Sequence, residues 1–436
     1  MSSPEVDANY PGRKAWVVGD NFGLSIPADP EALLEGGTEF LTYAFRASGQ
    51  LAEDNRVISI IDSAEFFDGG SGKKLQMTVE YENPEPALPN RLFVKFSRNF
   101  DNELWDSAKH MMLSEVNFAL LSRSPDFPVK VPLLMFGDLE SESETGLLIT
   151  ELIPYGEGNV EVPRPKCMDY LIDDAVEHYR AIFASLGRLS GAHRAGKLSP
   201  EFDGVFGDAE QGAAQFRSNA SDDQTIQRAQ RMFDFIERYP KLFPDHFQKD
   251  GLREEFISFM ADGFAARERI AEILQSGRPK FVAFAHWNGN IDNCWFERQP
   301  DGSLDCGFID WANCGTLPFT QVVSGALGCA DPKVWAENLD ELLAIFISEF
   351  EAQGNDKLSL EELSLHVRLS LATNFGISMA APVAVARDIE DIDAVSGPRD
   401  PIFRDLYTSR VMLFTMTNLI ENWKNLNLGD LVRELV

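Results

Sequence analysis

Apolar and polar positions change period along this chain, and the changes divide it. From 30 to 52, Leu33, Leu34, Phe40, Leu41, Ala44 and Phe45 recur at helical spacing, which predicts one or two helices. From 57 the period shortens to that of strands. The runs 57–61, 75–81, 91–96, 131–136 and 147–153 are β-rich and separated by Gly- and Pro-containing turns, with a helix predicted over 104–121. Beyond 173 the pattern is helical. The stretch 175–195 sets Tyr179, Ile182, Phe183, Leu186 and Leu189 on one face, 224–274 forms a second helical block, and 334–351, 360–380 and 406–423 form three more. Residues 1–28 are expected to wrap a surface. Residues 199–222, broken by Pro200, Gly204, Gly207 and Gly212, are expected to form a loop insertion.

One stretch inside the helical part returns to strand. Apolar runs at 281–285, 294–296 and 306–309 bracket a polar loop, and Pro300-Asp301-Gly302-Ser303 predicts a tight hairpin between the last two. Strands first and helices later make an α+β chain, and 436 residues are enough for two cores.

Composition narrows the partners. Against 39 Lys and Arg stand 69 Asp and Glu, a formal net charge of −30, which disfavours nucleic acid or an anionic membrane surface. No run approaches the ~18 apolar residues of a membrane span and the start has no apolar leader, so a cytoplasmic location is expected. The five cysteines lack CxxC spacing and are expected to be buried, reduced thiols.

The candidate chemistry is concentrated at a few positions. Gly69, Gly70 and Gly72 form a glycine-rich turn whose backbone N–H groups can approach phosphate. Lys95 lies inside the apolar strand run 91–96, and Glu115 sits at the edge of a helix face, in reach of it. His286, Asn288 and Asn293 follow the spacing His-x-Asn-x4-Asn, and Asp310 ends the hairpin in Ile309-Asp310-Trp311. Asn293 and Asp310 are oxygen-bearing side chains on neighbouring strand ends, suited to a hard cation such as Mg²⁺.

In that order, these elements resemble the aminoglycoside phosphotransferase and choline kinase-like (ecdysteroid kinase-like) superfamily, small-molecule relatives of protein kinases. The resemblance covers residues 30–420 in layout and is close in motif at 91–96 and 281–315. It implies a bilobal, protein-kinase-like fold with three parts. These are an N-terminal extension and helix (1–53), a small lobe with a five-stranded antiparallel sheet plus a helix (54–154), and a larger, mainly helical lobe (155–436) carrying the catalytic and metal loop 284–315. It implies ATP- and Mg²⁺-dependent phosphoryl transfer to a hydroxyl of an unidentified small molecule. Lys95 would hold phosphate and pair with Glu115, and Glu151 and Ile153 would present backbone to adenine. Asn293 and Asp310 would bind metal, and His286 would brace the loop.

Three positions depart from the family pattern. Asn288 replaces the catalytic Asp, Trp287 fills a position that is commonly Gly, and Gln321 stands where a bracing Asp is usual. An amide takes no proton at neutral pH. Asp292 is a substitute base only if it faces the loop, and strand-like alternation predicts that it faces away toward Lys or Arg. The alternatives to an active kinase are a pseudokinase that binds nucleotide or a small molecule, and a scaffold repurposed for another reaction. The acidic run 388–393 is a further candidate for substrate contact.

Overall fold

The computed structural model describes residues 15–66, 71–207, 221–277, 280–375 and 379–436. A short hairpin, β1 (Trp16–Val18) and β2 (Ser25–Pro27), opens the chain. Helix α1 (Pro30–Ala47) follows, capped by Asp29, which accepts from the Ala32 N–H. At Gly37 the backbone leaves helical geometry, so α1 is two helical pieces. Next come β3 (Val57–Glu65), β4 (Lys73–Tyr81), β5 (Arg91–Phe96), α2 (Glu103–Asp106), α3 (Met112–Leu121), β6 (Leu134–Glu140) and β7 (Thr145–Glu151). The five strands form one antiparallel sheet in the order β3-β4-β5-β7-β6, the sheet expected from the resemblance.

Helix α4 (Ala175–Arg194) and α5 (Glu201–Phe206) precede α6 (Asp222–Arg238), α7 (Leu252–Ala265) and α8 (Arg267–Ser276). Strands β8 (Val282–Ala285), β9 (Cys294–Arg298), β10 (Leu304–Phe308) and β11 (Gly315–Pro318) interrupt the helices. The chain ends in α9 (Phe319–Leu327), α10 (Pro332–Ala352), α11 (Leu360–Leu371), α12 (Ala381–Asp388), α13 (Ile402–Asp405), α14 (Tyr407–Asn425) and α15 (Leu428–Arg433). Among the described residues no helix is long and apolar enough to cross a membrane.

The chain divides into two compact units. The first comprises Met1–Val160, Ser199–Phe206 and Gly307–Cys314; the second comprises Glu161–Leu198, Gly207–Cys306 and Gly315–Val436. In the first, alternation along β5 sends Leu92, Val94 and Phe96 into a core shared with Phe40, Phe45, Phe136 and Ile149. Burying each of the phenylalanines contributes about 1.5–3 kcal/mol. The opposite face is covered by α3 through Met112 and Val116, which pack on Leu134, Leu139 and Leu148.

Several boundaries differ from expectation, each for a local reason. The helix over 104–121 is broken: Asn102 caps the short α2, and a 3-10 turn at Lys109–Met111 separates it from α3. The fourth strand lies at Leu134–Glu140, later than 131–136, because Asp138 serves as a buried anchor in it. Its carboxylate accepts the backbone N–H groups of Asn21, Phe22 and Leu139 at 2.9, 3.1 and 2.9 Å. The segment 15–28 is thereby latched onto β6. Residues 201–206, expected in a loop insertion, form α5, whose Phe202 stacks on Phe127. The helix over 360–380 ends at Leu371, and α12 is an additional helix with Pro382 in its first turn.

In the second unit α4 lies against α10 so closely that a Cβ on Gly187 would stand 2.4 Å from the Phe346 carbonyl oxygen. Buried polar groups of α4 bind strand backbone. Ser185 Oγ donates to the Cys306 carbonyl at 3.1 Å, Ser190 Oγ donates to that of Phe284 at 3.3 Å, and His193 Nδ1 accepts the Phe284 N–H at 3.0 Å. This helix therefore fixes β8, from which the polar loop 286–293 emerges.

Candidate active site

Lys95 occupies the β5 face opposite Val94 and Phe96, in register with Leu148 of β7 and under α3. It is 5% exposed, and a lysine this buried requires partners. Its Nζ donates to Glu115 Oε2 at 2.6 Å and to Asp310 Oδ1 at 2.7 Å. Burial works against the charge on Lys95, but the two carboxylates outweigh it and hold the ammonium above the usual lysine range. Burial also pushes the Glu115 carboxyl up, with Lys95 opposing it. One cation thus serves two anions, and the trio carries a net negative charge.

Asp310 reaches Lys95 because 307–313 is docked within the first unit. The Phe308 N–H donates to the Lys130 carbonyl at 3.1 Å. Trp311 stacks on Phe118 of α3 with centroids 3.7 Å apart and planes at 14°, while its Nε1 donates to the Phe308 carbonyl at 2.9 Å. The Asn313 N–H donates to Ser114 Oγ at 2.8 Å. Three residues of α3, Ser114, Glu115 and Phe118, therefore hold both Lys95 and the Asp310 segment. Asp310 itself is left-handed (φ +58), a conformation that Asp tolerates better than most residues, and its side chain is 46% exposed.

Of the glycine-rich turn, Gly69 and Gly70 lie outside the described residues. Gly72 has φ +56, and a Cβ there would stand 1.8 Å from the Phe96 carbonyl oxygen, so only glycine fits. At the end of β7, the Glu151 carboxylate accepts the Leu133 N–H at 2.8 Å, and the Ile153 carbonyl accepts the Tyr155 N–H at 2.9 Å.

The second unit holds the polar loop. His286 is fully buried, and its Nδ1 accepts the Asn288 N–H at 3.1 Å. Asn293 Nδ2 donates to the Asn288 carbonyl at 2.9 Å, which leaves the Asn293 amide oxygen as its hard donor. An amide oxygen is a ligand of the kind Mg²⁺ takes. Asn290 Nδ2 donates to Asn288 Oδ1. Asp292 lies in a 3-10 turn, Ile291–Asn293, and not on the strand whose alternation is expected to turn it away; its Oδ2 meets Lys166 Nζ at 3.4 Å. Burial opposes the Lys166 charge, yet Asp292 keeps it above the usual lysine range. Helix α9 supports the loop through Gly325, where a Cβ would stand 1.8 Å from the Trp287 carbonyl oxygen.

Asn290 within the loop, and Lys166 and Gly325 beside it, are contacts that sequence reading missed. Spacing carries no signal for Lys166, 126 residues before its partner Asp292. Asn290 falls in the loop motif and was legible only as a polar position. In the acidic run, Asp388 accepts from Arg387 and from Ser409, and Asp391 accepts the Asp393 N–H, so these carboxylates have local uses. All five cysteines are buried and outside disulfides; burial raises the thiols of Cys167, Cys294 and Cys314 out of the reactive range.

No family model and no curated protein matches the chain. Among solved structures it is similar to a choline kinase from Cryptosporidium parvum Iowa II, at 11% identity and TM-score 0.40, covering 86% of this chain and 90% of that one. It is similar to a Plasmodium vivax ethanolamine kinase at 9% identity and TM-score 0.40, covering 91% of this chain and 90% of that one. An aminoglycoside-3'-phosphotransferase of type VIII has 17% identity and TM-score 0.33, covering 75% of this chain and 97% of that one.

Proposed function

We propose that this chain is a phosphotransferase that moves the γ-phosphoryl group of ATP, with Mg²⁺, to an oxygen of a small molecule, a hydroxyl in the family the sequence resembles. The observation that carries this reading is the buried Lys95 held between Glu115 and Asp310. In the family the sequence resembles, a strand lysine paired with a helix glutamate holds the nucleotide phosphates, and Lys95 meets Glu115 in that way. Asp310 in the first unit and Asn293 in the second are the positions to which the resemblance assigns Mg²⁺, whose charge would offset that developing on the transferred group. The chain's own residues position. Gly72 allows backbone to approach the phosphates, Lys95 orients them, His286 and Asn293 fix the loop backbone at Asn288, and Asn288 contacts the acceptor. Positioning and electrostatics supply most of the acceleration in this reaction class, so the loss of one base does not forbid turnover.

The test is a thermal-shift titration paired with product detection. Mg·ATP at 100 times Kd stabilises the folded chain by about 2.7 kcal/mol, and Lys95→Met removes the shift. Incubation with hydroxylated metabolites then yields ADP and a phosphorylated product. Absence of any nucleotide-dependent shift refutes the proposal.

A second reading, a pseudokinase that binds nucleotide without transferring phosphate, is favoured by one observation. Asn288 stands where the resembling family carries its catalytic Asp, and its amide oxygen already accepts from Asn290. It predicts the thermal shift without ADP formation against any acceptor.

A further inference from the structure

Two lysines follow Gly72 at the start of β4, and strand alternation sends them to opposite faces. Lys73 is in register with Phe96, and its Nζ meets Asp101 Oδ2 at 2.6 Å. Lys74 takes the other face and stands directly opposite Lys95 in the β4–β5 pair. Directly opposed residues of an antiparallel pair have Cβ atoms about 4.5–5.5 Å apart, and like charges placed in this way lower stability. The first unit nevertheless sets two lysines there, and Lys74 is half-buried.

The surroundings of Lys74 give the pair a use. Its Nζ donates to the Ser71 carbonyl at 2.9 Å, which ties the ammonium to the glycine-rich turn. Gly72 is packed against the Phe96 carbonyl at φ +56, so this end of the turn is fixed over the strand pair. Lys74 is thus bracketed by the Gly72 turn on one side and by Lys95 on the other. Burial pushes the Glu115 carboxyl up, while Lys95 and Lys74 both favour its ionised form, so Lys74 lies within electrostatic reach of the trio. Lys95, Glu115 and Asp310 alone carry a net negative charge, which repels a phosphate chain. With Lys74 counted, two ammonium groups stand against two carboxylates and that repulsion is cancelled.

Resting on the phosphotransferase reading, which assigns phosphate to the Gly72 turn and to Lys95, we propose that Lys74 is a second phosphate-binding lysine that donates to the phosphate chain of the nucleotide beside Lys95. An ammonium has three N–H donors, so the Ser71 carbonyl and a phosphate oxygen can be held together. A lysine that served the fold alone would brace the turn through Ser71 and would need no charge to do it.

The test measures binding of Mg·ATP, ADP and adenosine to the full chain by calorimetry, with melting curves of the nucleotide-free variants to show that each is folded. Lys74→Gln keeps a donor for the Ser71 carbonyl and removes the charge. It should weaken ADP and Mg·ATP by roughly 10- to 100-fold, the size of a hydrogen bond to a charged group, and leave adenosine unchanged. Lys74→Arg, which keeps the cation, should recover most of the loss. Lys73→Gln removes the same formal charge from the opposite face and should change none of the three affinities. Should Lys74→Gln fail to fold, Lys74→Met carries the same expectation. Equal weakening of adenosine and ADP overturns the proposal in favour of a brace for the turn. An equal loss in Lys73→Gln overturns it in favour of general charge attraction, and unchanged ADP affinity in Lys74→Gln overturns it outright. Each of these results leaves the phosphotransferase reading standing, because the parent chain still binds nucleotide and forms product. A parent chain that binds no nucleotide removes that reading and the role of Lys74 with it.

Discussion

Replacing Lys95 with methionine is the sharpest perturbation of the first unit, and the arithmetic of one cation between two anions gives its size. Lys95 and Glu115 have side chains 6% exposed each, whereas that of Asp310 is 46% exposed. Removing one partner of a buried pair costs about 3–5 kcal/mol, because the remaining charge is left uncompensated. Most of that cost falls on Glu115, since Asp310 is screened by solvent. The Lys95 pKa is raised in the folded state, so its contribution is fully present below the ordinary lysine value and intact at pH 7. Glu115→Gln behaves in the opposite sense. Its folded pKa is raised, so its contribution is full below the ordinary glutamate value and is lost as pH rises from there through the folded value, and the amide relieves that loss while Asp310 still partners Lys95. In a double-mutant cycle followed by urea denaturation at pH 7, Lys95→Met should lose about 3–5 kcal/mol. Adding Glu115→Gln should restore about 1–3 kcal/mol of it, a coupling typical of groups in direct contact. Acidification should narrow the gap between Lys95→Met and the parent as Glu115 protonates. A coupling energy near zero, or a loss under about 1 kcal/mol for Lys95→Met, would refute the account of a buried trio.

Other outcomes follow from single contacts. Asp310→Asn removes a formal charge from the proposed metal ligands and should lower turnover by at least ~10²-fold with the fold intact by circular dichroism, since an anion there offsets the cation. Gly325→Ala forces α9 away from the Trp287 carbonyl, so it should destabilise by about 2–4 kcal/mol in thermal denaturation and weaken activity more than nucleotide binding. Glu161 is held at about 2 because, against burial, it accepts from Arg164, His178 and Arg298. A depressed carboxyl stabilises above its unfolded value and loses that contribution as pH falls through the folded one. The parent should therefore lose on the order of 1–2 kcal/mol between pH 5 and 2 that Glu161→Gln does not lose, as read by acid titration of the melting temperature.

Much of this fold was legible because local chemistry and tertiary context agree. Val94, Lys95 and Phe96 alternate as a strand must, and the single lysine in that run marks the polar spot on the face under α3. Asp301-Gly302 forms its turn with Gly302 at φ +89, closed by the Gln299 N–H on the Ser303 carbonyl at 2.8 Å. What was not legible depends on distant partners. Aspartate is disfavoured in strands, and Asp138 fits β6 because the distant N–H groups of Asn21 and Phe22 satisfy it. Lys166 has no pattern at all, because its meaning lies in Asp292. Trp311 reads as part of a motif, but its stack on Phe118 is set by α3, nearly 200 residues earlier.

That separation bears on the order in which the chain is made. The first unit is compact through Val160, yet its last piece, Gly307–Cys314, is translated after a further 146 residues. At ~5–20 residues per second the interval is roughly 7–30 s on the ribosome. During it Phe118 has lost none of its surface to Trp311, and Lys95 has Glu115 alone. A fragment cut at 160 would look like a finished domain by its strands, yet it would carry an open aromatic face and one ion pair in place of two.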